Sequence, residues 1–338
     1  MKLRHLLIGA VTAAVIVAGI STASAQTTLR LSTLFNPASS GGLAAEEFAK
    51  RVGERSNGRI KVNVYPASQL GDWTEVHAQL MQGAVDMAIQ PLSTSFNTRL
   101  AISWFPYLTP TYDSAVDAYS EGGYVATAVN ELIGPQNLRL LGVYGAGMGG
   151  AGFARDIDSP GDPDATRSVR IRVWPGGTTH RALMQRLGYN VATVPWAELY
   201  TAMQTGVVDG QIGGTPEMAM DNFKDITRTW IQYNDHFELA WIVMNRPKYE
   251  SLSEADRQVI LDVAQEITRE RFEEVREADA KDLDRMREAG IEVVTFSDQE
   301  LENFARVART DVWPQIGGEL GDEIMGILYK AVGMDKPQ

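Results

Sequence analysis

The stretch from Val169 to Asp221 constrains the fold of this chain more than any other. It opens with a β-branched run, Val169-Arg170-Ile171-Arg172-Val173, followed by a break at Pro175-Gly176-Gly177. A helical pattern runs from Thr178 to Leu187, and a second apolar run, Asn190 to Val194, ends at Pro195. Trp196 to Thr205 reads as another helix, stopped by Gly206, and a third run, Val207 to Ile212, ends at Gly213-Gly214. That is β-α-β-α-β in about 45 residues, with loops of the length usual in α/β units. Such a unit collects its loops, and with them a ligand site, at the carboxyl ends of parallel strands. Arg172 and Trp174 then stand at the end of the first strand, Pro195 and Trp196 after the second, and Gln211 and Gly213 near the end of the third. A cation, two aromatic faces and a glycine-rich approach make this an expected anion-binding cleft.

The rest of the chain extends the same architecture. Thr28–Leu34 alternates as a strand, a small-residue loop through Asn36 follows, and Leu43–Ser56 has a helical stripe. Arg59–Tyr65 is the next expected strand, Trp73–Gln82 the next helix and Gly83–Ile89 a turn into a third strand. The phrase Met81-Gln82-Gly83 with Val85-Asp86 has a near match in Met203-Gln204 with Gly206, Val208 and Asp209, which suggests two similarly wired lobes. Asn97–Tyr112 is rich in aromatics and prolines, and reads either as a cleft-side loop or as a packed connection. A helix over 114–132, a strand over 138–144 and a glycine-rich run, Gly145–Gly152, suited to a flexible crossing between lobes, come next. Phe153–Ile157 is a short expected strand, Asn222–Ile231 a helix and Ala240–Asn245 a buried strand of the first lobe. From Leu252 the helical pattern runs to Arg287, roughly 50 Å at 1.5 Å per residue, too long for one lobe. Its heptad pattern is too poor for a coiled coil. A strand over 291–296 and two helices over 298–331 close the chain.

Composition narrows the function. Lys2 and Arg4, the apolar run Leu6–Ile20 and Ala23-Ser24-Ala25 form a secretory leader, with cleavage expected after Ala25 and the periplasm as destination. The run is shorter than the roughly 20 residues of a membrane span, so no direct membrane insertion is expected. The formal charge is −12, and removing Lys2 and Arg4 leaves 29 basic against 43 acidic residues, −14. A surface this acidic argues against nucleic acid or anionic lipid as a partner. An anionic ligand then needs a local positive site. The chain has no cysteine, which removes disulfides, thiolate metal sites and cysteine nucleophiles. His77, His180 and His236 lack metal spacing, although Asp235-His236-x-Glu238 is suggestive. No metal or cofactor is expected.

Alternation puts Arg170 and Arg172 on one face of their strand. Arg172 is either a ligand group or a solvated or ion-paired cation. A guanidinium fork suits a carboxylate. Trp174 and Trp196 either wall a ligand or plug a lobe. Arg155, Asn36 in the loop after the first strand, and Glu75 at the start of the Trp73–Gln82 helix complete the candidate set with Gln211 and Gly213.

Three phrases carry a family resemblance: Val169-Arg170-Ile171-Arg172-Val173, the run Val194-Pro195-Trp196 through Val208-Asp209-Gly210-Gln211, and Tyr65-Pro66-x-x-Gln69-Leu70-Gly71. Together the chain resembles the solute-binding proteins of tripartite ATP-independent periplasmic (TRAP) transporters, of the type named for C4-dicarboxylate uptake (DctP). The resemblance implies an α/β, two-lobed periplasmic binding protein fold (type II-like), with a long helix spanning both lobes. It implies a receptor that closes over a small organic acid and delivers it to TRAP membrane permease subunits. The family's ligand-clamping arginine falls on Arg172, its less uniform second basic residue on Arg155, and the aromatic of its Pro-Phe-x-Glu phrase on Trp196. Where better-known members carry Glu-Asn after Asp-Gly-Gln, this chain reads Ile212-Gly213-Gly214, and Trp174 stands where proline is common. Those departures point away from a plain dicarboxylate or sialic-acid-like ligand, towards a bulkier or flatter acid or a zwitterion. The expected lobes are 26–150 plus about 239–275, and 151–238 plus about 276–338. An exported α/β enzyme acting on an organic acid and a sensory ligand-binding receptor are the alternatives. No Ser-His-Asp or Cys-His arrangement supports the first, and nothing in the sequence excludes the second.

Overall fold

The computed structural model describes residues 26–335, so the expected leader and its cleavage site lie outside the described residues. In chain order the strands are β1 (Thr27–Thr33), β2 (Ile60–Tyr65), β3 (Met87–Gln90), β4 (Leu138–Met148), β5 (Ala151–Phe153), β6 (Arg170–Val173), β7 (Asn190–Thr193), β8 (Gly210–Ile212), β9 (Thr229–Ile231), β10 (Phe237–Asn245) and β11 (Glu292–Val294). They form two sheets, ordered β2-β1-β3-β10-β4 and β11-β9-β5-β8-β6-β7. In the first, β1 runs parallel to β2 and β3, while β10 is antiparallel to β3 and β4. In the second, β6 runs parallel to β7 and β8, so the 169–221 unit has the wiring its sequence pattern requires. Among the described residues no helix is long and apolar enough to cross a membrane.

The chain passes between the sheets three times, twice as extended backbone and once through a long helix, and the two extended crossings bond to each other. Gly149 N–H donates to the His236 carbonyl at 2.9 Å, and Asn234 N–H to the Gly149 carbonyl at 3.0 Å. The glycine-rich run is therefore strand and tight crossing, not the loose link its composition suggests. A Cβ at Gly149 would lie 2.2 Å from the His236 ring. Glycine is needed there for close approach rather than for flexibility.

A single helix, Glu254–Glu288, runs alongside both sheets. Ser253 caps it by accepting the Asp256 N–H at 3.1 Å. Ile260, Val263 and Ala264 bury against the first sheet, and Met286 packs with Trp230 and Ile291 of the second. Between these ends Arg271 Nε donates to the Gly145 carbonyl at 2.7 Å, and Asp279 accepts the Met148 N–H at 2.7 Å. The helix thus grips the crossing strand itself.

Two expected elements differ. The single helix over 114–132 is two, Tyr112–Tyr119 and Tyr124–Ile133, because Gly122 turns left-handed (φ +78°). The expected helix over 222–231 is instead a helix, Pro216–Phe223, and strand β9. Thr215 caps that helix by accepting the Met218 N–H, with Pro216 in the first turn, where its missing N–H is no loss. Trp230 and Ile231 are fully buried in the sheet.

Candidate functional site

A narrow cavity of about 60 Å³ lies between the two sheets, walled from one side by Trp73, Trp104 and Glu238 and from the other by Arg172, Trp174 and Trp196. Each wall follows from a strand end. Arg172 is the penultimate residue of β6, in register with Ala192 of β7 and Gln211 of β8. Trp174 is the first residue past that strand, and Trp196 opens the helix Trp196–Gln204 after β7.

Arg172 is the electrostatic centre of the cleft. It is 3 % exposed. Its Nε donates to the Val194 carbonyl at 2.8 Å, and its guanidinium lies 5.8 Å from the Trp196 ring centre. No carboxylate among the described residues comes within ion-pair distance of it, although Asp72 and Glu238 act on it from further away. Burial lowers its pKa to about 9, and those two carboxylates partly oppose the shift. It is still a cation at neutral pH, buried without a counter-ion, and a buried charge is costly until it is paired.

The indoles are held from both sides. Trp104 and Trp174 meet edge-on across the cleft at 5.9 Å and 69°. Gly213 (φ +95°) leaves room for the Trp174 ring, which a Cβ there would approach to 3.0 Å. Trp196 rests edge-on against Phe223. The Trp104 Nε1–H is buried with no hydrogen-bond partner among the described residues.

Beneath Trp174 lies a buried polar chain. The His180 ring packs against the Trp174 indole at 4.8 Å, and its Nε2 bonds Asp235 Oδ2 at 2.9 Å. His236 Nδ1 bonds the same oxygen at 2.8 Å, and its Nε2 bonds Glu238 Oε2 at 2.9 Å. Burial alone would lower the His236 pKa, but the Asp235 and Glu238 carboxylates on its two nitrogens outweigh that and raise it to about 10. Asp235 is held below the ordinary carboxylate range: burial opposes, and the His236 charge wins. His180 is lowered by burial against its bond to Asp235. The ligand atoms of His180, Asp235 and His236 lie within 4.8 Å of one another. Both imidazoles nevertheless converge on one Asp235 oxygen, an arrangement joined by protons rather than opened around an ion.

Of the residues singled out in the sequence, Arg172, Trp174, Trp196 and Gly213 line the cavity. Asn36 lies in an adjoining polar recess, where its Nδ2 donates to Asn222 Oδ1 at 3.3 Å. Gln211 is 2 % exposed in β8 with an unpartnered Oε1, and does not line the cavity. Two of the expected residues, Arg155 and Glu75, are not brought to the cavity. The Arg155 side chain is 56 % exposed and lies 3.8 Å from Asp209. It follows the end of β5, which runs antiparallel to β8, so it emerges opposite the cleft-facing strand ends. Glu75 completes the capping box of its own helix, accepting the Asp72 N–H at 3.2 Å. Its carboxylate is engaged in local structure. Trp73, Trp104 and Glu238 were missed. The Asn97–Tyr112 segment held the signal for Trp104, and Asp235-His236-x-Glu238 the signal for Glu238.

The family model for bacterial extracellular solute-binding proteins, family 7 (DctP), matches residues 31–316. The 2,3-diketo-L-gulonate-binding periplasmic protein YiaO of Escherichia coli is 25% identical, over 89% of this chain and 90% of that protein. The ectoine-binding periplasmic protein TeaA of Halomonas elongata is 24% identical over 78% of each. A TRAP periplasmic solute-binding protein from Desulfovibrio salexigens, solved with bound orotic acid, superposes with a TM-score of 0.81 at 19% identity, over 91% of this chain and 99% of that one. That likeness gives the fold: two α/β lobes with a long helix.

Proposed function

Because the chain belongs to the bacterial extracellular solute-binding proteins of family 7, and is thereby a ligand-capturing receptor of a TRAP transporter, we propose that its ligand is a small organic acid clamped at Arg172. One observation carries this reading: Arg172 is a buried guanidinium facing the cavity with no carboxylate partner among the described residues. A ligand carboxylate supplies that partner. Fork geometry permits two parallel N–H···O bonds, the arrangement that makes arginine selective for planar anions. Trp174 and Trp196 wall the bound acid. The ligands named for the relatives, orotic acid, 2,3-diketo-L-gulonate and ectoine, all carry a carboxylate.

The relatives are solute-binding proteins rather than enzymes. TRAP solute-binding proteins are periplasmic and serve membrane permeases. For this chain, cleavage after Ala25 and docking on TRAP permease subunits belong to the proposal. So does the division into lobes at about residues 150 and 238, which the sheet membership of β4, β5, β9 and β10 supports. Closure follows from bonding both halves at once, since a ligand shifts an equilibrium only by its differential affinity for the two states.

A thermal-shift screen of residues 26–338 against carboxylic acids and their amides tests the reading. A ligand at 100 times its dissociation constant adds about 2.7 kcal/mol. Acids should raise the melting temperature where their amides do not. Equal response to both would remove the carboxylate from the account.

A further inference from the structure

We infer that the cleft selects a compact zwitterion, with its carboxylate on Arg172 and its cationic group against Glu238 and the tryptophan walls. This rests on the organic-acid reading above and specifies the class of acid.

Three observations carry it. First, the side chains lining the cavity include two charged groups of opposite sign, Arg172 and Glu238, contributed from opposite sides. Glu238 receives the His236 N–H on Oε2, and its second oxygen has no partner among the described residues. One carboxylate oxygen is therefore free for a ligand.

Second, the charge balance disfavours added negative charge. Asp235, His236 and Glu238 form a chain in which one imidazolium lies between two carboxylates, leaving one net negative charge. Arg172 offsets that charge, and Asp72, which acts on Arg172 from outside the cavity, adds another negative. A neutral zwitterion preserves this balance. A dicarboxylate would add two negative charges to a buried site where, among the described residues, Arg172 is the one cation without an ion-pair partner, a costly arrangement. A neutral His236 would make the surroundings more negative still, so a dicarboxylate is disfavoured with or without that proton.

Third, four of the chain's seven tryptophans, Trp73, Trp104, Trp174 and Trp196, line this one cavity. Indole faces attract cations, and aromatic cages suit alkylated ammonium groups. Among the described residues no hydroxyl or carboxamide side chain lines the cavity. Beyond the Trp104 Nε1–H and the free Glu238 oxygen, a polyhydroxylated sugar acid would find few side-chain partners for its hydroxyls, and each one buried unpaired costs affinity.

Matched probes separate the charge from the shape. Glycine betaine and 3,3-dimethylbutanoate differ by a nitrogen for a carbon, and pipecolate and cyclohexanecarboxylate differ by a protonated ring amine. Succinate, gluconate and benzoate complete a calorimetric panel on the full mature chain. The zwitterion of at least one pair should bind at least about tenfold tighter than its isostere, the simple carboxylate that lacks the cationic nitrogen. Glu238→Gln, which can still accept from His236, should bring that ratio close to one. Tighter binding of the simple carboxylate isostere, of succinate or of gluconate overturns the inference and leaves the Arg172 reading standing, as does a ratio unchanged in Glu238→Gln. Binding by no probe overturns both.

Discussion

Glu217 reaches across the cleft and caps the first turn of the helix Ser40–Arg55: its carboxylate accepts the Ser40 N–H at 2.8 Å and the Ser40 hydroxyl as well. The helix N-terminus favours a negative charge there. Thr94 adds a second strap, donating to the Gly176 carbonyl at 3.0 Å. The two halves are thus fastened together around the cavity by polar contacts at its rim.

Removing the Glu217 carboxylate should therefore open the ligand-free protein. A hydrogen bond to a charged group contributes about 1.5–3 kcal/mol. Glu217→Ala should increase the radius of gyration measured by small-angle scattering without ligand, and saturating ligand should restore compactness. An unchanged radius would mean that the Ser40 contact does not set the closed population.

Gly213 should resist substitution. Its φ of +95° lies in the region side chains avoid, and a Cβ would press on Trp174 at 3.0 Å. Strain of this kind costs about 1–3 kcal/mol. Gly213→Ala should lower the melting temperature and weaken ligand binding together, while Gly206→Ala, which meets nothing within 4 Å, should leave binding unchanged. Equal effects on binding would remove the special role of the Gly213–Trp174 contact.

His236 should leave a signature in the pH dependence of stability. Its pKa is raised to about 10 in the folded chain by the carboxylates of Asp235 and Glu238, against burial. Unfolded, it titrates near the ordinary value of about 6.5. The folded state therefore binds the extra proton, and the resulting stability is complete below about pH 6.5 and lost as pH rises through about 10. Thermal melts from pH 6 to 10 should show a falling midpoint. His236→Gln should be less stable at pH 6, by about 3–5 kcal/mol for a broken buried pair, and its midpoint should fall less over the same range. Parallel slopes for the two proteins would contradict a protonated His236.

How much of this was legible in the sequence depends on whether the determining contacts are local. The 169–221 unit was, because strand alternation and glycine stops fix it within the segment. Arg172, Trp174 and Trp196 follow from strand ends alone. Trp73, Trp104 and Glu238 come from three separate segments and reach the cavity only through the order β1-β3-β10, which pairs strands about 150 residues apart in sequence. No local period encodes that order. Arg155 and Glu75 stay away from the cavity for the opposite reason, since a neighbour claims each: Asp209, just before the paired strand, and the Asp72 N–H one turn back. The break at Gly122 was visible as a glycine pair, but the apolar stripe on either side outweighed it.

The central claim is that Arg172 holds the ligand carboxylate, and a calorimetric titration of the best-binding acid into wild type and Arg172→Met tests it most directly. Methionine fills much of the buried volume without the charge, so the variant should fold with a melting temperature near or above that of wild type. Loss of a buried, hydrogen-bonded charge partner costs about 2–5 kcal/mol, so affinity should fall by about 30-fold or more. A folded Arg172→Met variant that binds the same acid with unchanged affinity would contradict the account.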